Sequence, residues 1–186
     1  MPTLITDVGG SNSNSYLDLA AARALLSLVP NAGAFLDEQD DDKLIVALAS
    51  AATLLESMAW QGTKTKNSTQ QALAWPRAWV PDPDAGATAS AYVGWTGLTI
   101  YLPMTEIPRR ILRAQAMLAL EIMRAGSADV WGVDASVNIT SETVDVITTE
   151  YVEPSKRHHG LRNYPSVWRE IFPLLLSATA SSVERA

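Results

Sequence analysis

The sequence predicts a mainly α protein of the α+β class, a small helical bundle that carries a β-hairpin and a C-terminal helix or arm. Apolar residues recur at helical spacing in three segments, each with a capping signal near its start. A stretch of alternating residues around position 140 indicates two strands. A segment rich in Gly, Thr, Pro and Asn at 61–106 follows neither pattern, so we expect shaped loops there.

Composition limits the classes of protein to consider. With 186 residues, 47% of them hydrophobic, the chain is long enough for one domain, 1–186, with its own core. Its net charge of -6 opposes general affinity for nucleic acid, which depends on neutralised phosphates. The absence of cysteine excludes disulfides and thiolate metal sites. No apolar run is long enough to span a bilayer and no signal peptide pattern is present, so we expect no membrane contact.

The N-terminal part predicts an arm followed by a short helix. Residues 1–15 are rich in Gly, Ser and Asn and predict an N-terminal arm or a loosely held strand. Asp18 is a good N-cap for a helix over about 19–29, because its carboxylate can accept from a free N–H of the first turn. Pro30 is expected to end that helix.

Two longer helices are predicted in the body of the chain. The acidic run at 37–43 suits the positive end of a helix dipole, and the apolar residues at 44–58 follow the helical repeat. The third helix is predicted from Ile107 and Pro108 to about Ala125, since proline is tolerated in the first helical turn. Apolar residues occupy several of its sides, so we expect it to be the most buried helix.

The remaining elements are strands and a terminal helix. A short hairpin or strand pair is expected within 91–102, and a β-hairpin over about 135–151 that reverses at 140–142. Residues 164–186 predict a C-terminal helix or arm, which Pro173 kinks or ends. Its apolar residues exceed what one small face can hide, so we expect docking contacts; the candidates are Tyr164, Pro165, Trp168, Ile171 and Phe172.

The stretch QQALAWPRAWVPDPD at 70–84 combines tryptophans with proline and arginine in a segment that cannot be a regular helix. It could form an aromatic and basic surface that stacks nucleic-acid bases, or a rigid plug that pins a loop onto the core. We favour burial of Trp75 and Trp79, with Pro76 setting the entry angle. Arg77 is then expected to reach a carboxylate or carbonyl nearby or on a neighbouring subunit.

No pattern of catalytic or metal-ligating residues stands out. Adjacent His158 and His159 would point in different directions, and the contiguous acids at 40–42 lack the spacing of a calcium loop. We therefore expect no enzyme activity, no metal and no cofactor. The basic concentrations, Arg109 to Arg113 and Lys156 to Arg162, are expected to be solvated faces or subunit contacts.

Several segments together resemble one family of tailed phages. They are NSYLDLAAARALL at 14–26, WQG at 60–62, QALAWPRAW at 71–79, the helix that opens at Ile107-Pro108, the hairpin ending at Glu150-Tyr151 and YPSVWREIFPLL at 164–175. In this order they resemble a family of head–tail adaptor or head-completion proteins, whose members also carry the name DnaT-like single-stranded DNA-binding protein. The resemblance covers most of the chain except 85–105, which looks like a loop insertion.

The resemblance implies a structural adaptor, or connector, in the phage neck. Such a protein would form a homo-oligomeric ring of about twelve copies below the portal protein and bridge it to a downstream neck or tail protein. Double-stranded DNA would pass through the ring without specific binding, which suits an acidic chain. The implied location is the virion neck, and the host cytoplasm during assembly.

One alternative comes from a different functional class. The family name also suggests a single-stranded DNA-binding replication accessory protein. Gene neighbourhood separates the two readings, because an adaptor gene should lie between capsid and tail genes and a replication gene beside helicase or primase genes.

Overall fold

The computed structural model describes residues 2–85, 100–125, 141–144, 147–150 and 160–176. Within these ranges the chain is mainly helical with two small antiparallel strand pairs, so the predicted fold class is confirmed. The elements are α1 Leu19–Leu26, α2 Ala32–Asp37, α3 Asp41–Glu56, β1 Thr63–Lys64, β2 Arg77–Ala78, α4 Arg109–Ala125, β3 Ser141–Val144, β4 Ile147–Glu150 and α5 Pro165–Ile171.

The first helix begins where the sequence predicts and ends early. The Asp18 carboxylate accepts a hydrogen bond from the backbone N–H of Ala21 at 2.7 Å, which caps the first turn. The helix stops at Leu26, because the next N–H groups bond three residues back and Asn31 adopts a left-handed conformation (φ 61°). Helix α2 then begins at Ala32. It was not predicted, because six residues are too short to show a helical repeat.

Helices α3 and α4 form the centre of the core, and both were predicted. Asp40 caps α3 by accepting from the N–H of Asp42 at 3.2 Å. Helix α4 packs against α3 on one side and α5 on the other. Its buried residues occupy more than one face, as expected for the central helix: Ile111, Ala114, Gln115, Ala116, Leu118, Ala119, Leu120 and Ile122.

The C-terminal segment completes the core instead of projecting from it. Ile171 and Leu174 are fully buried, and Leu175 forms an antiparallel bridge to Trp60. Two backbone hydrogen bonds secure this bridge, from Gln61 to Leu174 at 3.0 Å and from Leu176 to Ala59 at 2.9 Å. The expectation of a docking arm is therefore wrong for the buried part of 164–176.

The predicted β-hairpin is present with a different turn. Strands β3 and β4 pair from Ser141 opposite Glu150 to Val144 opposite Ile147, so the reversal predicted at 140–142 is wrong. Polar residues there suggested a turn, but Ser141 and Glu142 pair within β3, because strand propensity depends on the context of the sheet more than on the residue itself. The rest of the hairpin predicted at 135–151 lies outside the described residues, and so does most of the one predicted at 91–102.

The first residues of the chain lie against the domain. The N–H of Ala72 donates to the carbonyl of Gly10 at 3.0 Å, and the Lys66 ammonium donates to the carbonyl of Gly9 at 3.0 Å. Within the described ranges, none of the helices has the length and apolar character needed to cross a membrane.

Candidate interaction surfaces

The tryptophan–proline–arginine segment divides into a buried half and an exposed half. Trp75 is 1% exposed and packs edge-on against Trp60, with ring centroids 5.7 Å apart. Its peptide bond to Pro76 is cis. The Trp75 indole N–H is the one buried side-chain polar group without a hydrogen-bond partner among the described residues. Trp75 therefore has the core position that the sequence predicts.

Arg77 fixes the loop by binding backbone carbonyls of its own chain. Its guanidinium donates to Gln61 at 2.7 Å, Gly62 at 2.6 Å and Ala74 at 3.3 Å. Burial lowers the pKa of Arg77, and the Glu56 carboxylate partly offsets this effect. The geometry matches the expectation of a nearby carbonyl partner and leaves little of the guanidinium for a phosphate or a second subunit.

A buried tyrosine and a carboxylate hold the same loop from the other side. The Tyr16 hydroxyl donates to Glu56 at 2.5 Å, and the same carboxylate oxygen accepts from the N–H of Ala74 at 2.7 Å. Burial raises the pKa of Tyr16 far above its usual range, and the negative charge of Glu56 raises it further. Helix α3 is thereby tied to residues 74–77.

Three buried glutamines join segments that are distant in sequence. The Gln115 amide oxygen accepts from the N–H of Tyr16 at 3.1 Å, and its amide nitrogen donates to Ser15 at 2.7 Å and Leu48 at 2.9 Å. Gln71 and Gln61 make equivalent contacts to the loop at 65–76 and to the C-terminal segment. None of the three was predicted. For Gln115 a signal was present, its position within the otherwise apolar α4, whereas Gln61 and Gln71 lie in irregular segments that carry no such pattern.

Trp79 is exposed, so the prediction that its ring is buried is wrong. Its backbone has a positive φ of 62°, which is unusual for a bulky residue. This conformation turns the chain after β2, so that Val80 is buried and the Trp79 ring is 64% exposed. The ring packs edge-on against Tyr101 at 5.6 Å, with exposed Ile100 and Met104 nearby in the chain. Trp79 and Tyr101 thus form an exposed aromatic pair, and Ile100 and Met104 are exposed apolar residues close to Tyr101 in the sequence.

The described charges are separated along the fold. Residues 18–56 contain seven acidic and two basic side chains, a net charge of -5. Residues 109–125 and 160–176 contain six arginines and two glutamates, a net charge of +4. Helix α4 packs against α5, which places Arg113 and Arg169 on one groove and Arg110 beside Glu170. We call residues 109–125 and 160–176 the basic region. Its positive charge is not evident from the overall charge of -6.

The basic region contains both paired and unpaired arginines. Arg110 bonds Asp84 at 2.5 Å and lies 3.6 Å from Glu170, and its hydrogen bond lowers the pKa of Asp84. Arg113 and Arg169 are exposed and have no ion pair or hydrogen bond to any residue that the structure describes. Their guanidinium groups are therefore available to an anionic partner, as far as the described chain shows.

A groove lies beside these two arginines. The end of α1 and the following turn contribute Leu25, Leu28 and Val29, and α4 contributes Met117. Arg113 and Arg169 also line the groove, whose volume is about 230 Å³. Leu28 is 80% exposed at this site. Glu170, which lies 3.6 Å from Arg110, lines the groove as well. The groove therefore combines an apolar lining with two guanidinium groups and one carboxylate that is already paired.

The predicted C-terminal interface residues form a second mixed surface. Trp168 and Phe172 pack together at 5.6 Å, and the Arg162 guanidinium lies 5.0 Å from the Trp168 ring centroid. Phe172 is exposed, Tyr164 and Trp168 are partly buried, and Pro165 is exposed at the start of α5. Such a combination of arginine and aromatic rings can contact either a protein or a stacked base.

Among the described residues, no group of His, Asp and Glu is arranged to hold a metal ion. His158 and His159, with the basic loop from Lys156 to Arg162, lie outside the described residues except at their C-terminal end. The candidate functional features of the described residues are therefore the groove, the exposed aromatic residues and the arginines given above.

The fold and these surfaces define a small, mainly helical α+β domain with separated acidic and basic regions. The chain belongs to the family described as "Putative DnaT-like ssDNA binding protein", whose family model matches residues 1–186. Comparison with curated proteins and with solved structures found no match. The family match agrees with one half of the predicted resemblance, and the head–tail adaptor role stays a prediction.

Proposed function

We propose that this protein is a structural head-to-tail adaptor of a tailed phage, which forms a ring below the portal and bridges capsid and tail. The observation that carries the proposal is the separation of charge, -5 over residues 18–56 and +4 over α4 with 160–176. A chain with two complementary surfaces can contact identical neighbours head to tail, and such contacts close into a ring when the rotation between copies allows it.

The overall acidity of the chain supports a role in which the protein surrounds DNA without binding it. At a net charge of -6 the chain as a whole repels phosphates, and five of its carboxylates lie at 37–42. The exposed aromatic pair of Trp79 and Tyr101 gives a further surface for a protein partner. In the proposed neck, these partners are the portal and a downstream neck or tail protein.

Single-stranded DNA binding is the second candidate, and the family description favours it. Arg162, Trp168 and Phe172 offer the elements that such binding uses, a cation beside aromatic rings that can stack on bases. Arg113 and Arg169, which line a groove formed by α1, α4 and α5, would add phosphate contacts. In this reading, the basic region serves nucleic acid instead of a neighbouring subunit.

One pair of experiments separates the two candidates. Fluorescence anisotropy with a labelled oligothymidine, at about 150 mM salt, measures strand binding where exposed charges are strongly screened. Light scattering of the chain mixed with the portal protein of the same phage measures assembly. We expect no submicromolar strand binding and a stable complex with the portal.

The variant Trp168→Ala tests whether the basic region binds the strand. Trp79→Ala is its matched control, because Trp79 lies outside that region. Submicromolar binding that Trp168→Ala weakens and Trp79→Ala leaves unchanged would establish the second candidate. Absence of a portal complex, together with such binding, would overturn the adaptor proposal.

A further inference from the structure

The groove lined by Arg113 and Arg169 has a chemical character that restricts its occupant. Its lining from Leu25, Val29 and Met117 favours an apolar group. The two guanidinium groups favour an anion, because the Glu170 carboxylate in the same lining pairs with Arg110 at 3.6 Å and with neither of them. Neither arginine has an ion-pair partner within the described chain. A fitting occupant therefore presents carboxylates next to small or apolar side chains.

The chain itself contains a surface of that kind. Helix α2 has exposed Ala34 one turn before exposed Asp37 and Glu38, so the three share one face. The acidic residues continue at 40–42, and among the described residues Arg23 is the cation that forms ion pairs with them, 3.9 Å from Asp37 and bonded to Asp41. Residues 34–42, called the acidic edge below, thus carry more negative charge than their own chain neutralises.

We propose that the acidic edge of one copy docks onto the arginine-lined groove of a second copy. The carboxylates of Asp37 and Glu38 pair with Arg113 and Arg169, while exposed Leu28 is covered by the neighbouring α2. Each copy has one edge and one groove, so the contact can repeat from copy to copy. A groove of about 230 Å³ is small, so a single contact is weak and gains strength from the multiple contacts of an assembly.

This inference rests on the proposed assembly function, since it names the surfaces through which the copies meet. Its test uses the purified full-length chain without portal or DNA, so it is independent of portal binding. A ring held by other surfaces would support the adaptor and defeat the inference. A trapped contact in a chain that does not bind the portal would support the inference and defeat the adaptor proposal.

Disulfide trapping suits this chain because it contains no cysteine. A Leu28→Cys variant, with its thiol at the groove, is mixed with an Ala34→Cys variant, with its thiol on the acidic edge. Under mild oxidation we expect a cross-linked heterodimer, several-fold more abundant than with Thr53→Cys, an exposed control about three turns along α3. Trapping records weak and transient contacts that scattering misses.

Charge reversal tests the chemistry of the contact. Arg113→Glu with Arg169→Glu, introduced into the Leu28→Cys chain, should reduce trapping to the control level, whereas lysine at both positions should preserve it. Adding Asp37→Lys with Glu38→Lys to the Ala34→Cys partner should restore it, because both signs are then exchanged. Circular dichroism confirms that each variant is folded.

Two results overturn the inference. One is a heterodimer yield no higher than that of the Thr53→Cys control. The other is trapping that charge reversal leaves unchanged, which would mean that the arginines do not select the occupant.

Discussion

Replacement of Gln115 by leucine tests whether the buried amide network specifies how the N-terminal segment meets the core. The Gln115 side chain is 0% exposed and makes three hydrogen bonds that join α4 to Ser15, Tyr16 and Leu48. Leucine has a similar volume but neither accepts nor donates. The backbone N–H of Tyr16 would then be buried without a partner.

The expected loss of stability follows from the unpaired backbone N–H of Tyr16. A buried polar group left without a partner costs roughly 1–3 kcal/mol. For a domain of this size, that loss corresponds to a fall in Tm of about 2–12 °C. Thermal unfolding followed by circular dichroism measures the fall, and urea unfolding gives the free energy directly.

Gln70→Leu is the matched control, because Gln70 is exposed and uses only its backbone N–H in the described contacts. We expect it to change stability by less than about 0.5 kcal/mol. If Gln115→Leu is as stable as the wild type while Gln70→Leu is neutral, the network does not contribute as argued. In that case apolar packing alone holds the N-terminal segment.

Three further predictions concern the loop and its supports. Trp75→Ala should cost about 3–5 kcal/mol in urea unfolding, because the buried ring leaves a cavity beside Trp60; a loss below 1 kcal/mol would contradict its core role. Gly62→Ala should destabilise by at least about 1–2 kcal/mol, because φ is 68° and the new Cβ would lie 2.2 Å from the Ala78 carbonyl oxygen. Wild-type stability should fall above about pH 10, where an unfolded tyrosine ionises but burial and Glu56 keep the folded pKa of Tyr16 higher. Tyr16→Phe should lack this part of the pH dependence, and identical pH profiles would refute the assignment.

Most of the helical framework could be predicted from the sequence, because its signals are local. The carboxylates of Asp18 and Asp40 mark helix starts, because they accept hydrogen bonds from free N–H groups of the first turn, those of Ala21 and Asp42. The apolar repeat of α3 and the buried faces of α4 follow from 3.6 residues per turn. Pro165 marks the start of α5 in the same way, since proline fits the first turn.

Which of the two loop tryptophans is buried could be determined only from the tertiary structure. Trp75 and Trp79 are four residues apart in one irregular segment, and each has the same preference for burial. The left-handed turn at Trp79 and the pocket beside Trp60 decide which ring enters the core. Neither feature has a local signature, because a non-glycine residue adopts positive φ only when its surroundings impose it.

By itself the sequence determined the class of fold, the positions of the long helices and the overall negative charge. Only the tertiary structure decided that the C-terminal apolar residues belong to the core, where Leu175 pairs with Trp60. It also placed Arg113 of α4 and Arg169 of α5 on one groove, although 56 positions separate them in the sequence. The physical reason is range: capping and periodicity act within a few residues, whereas the placing of one helix surface against another depends on how the whole core packs.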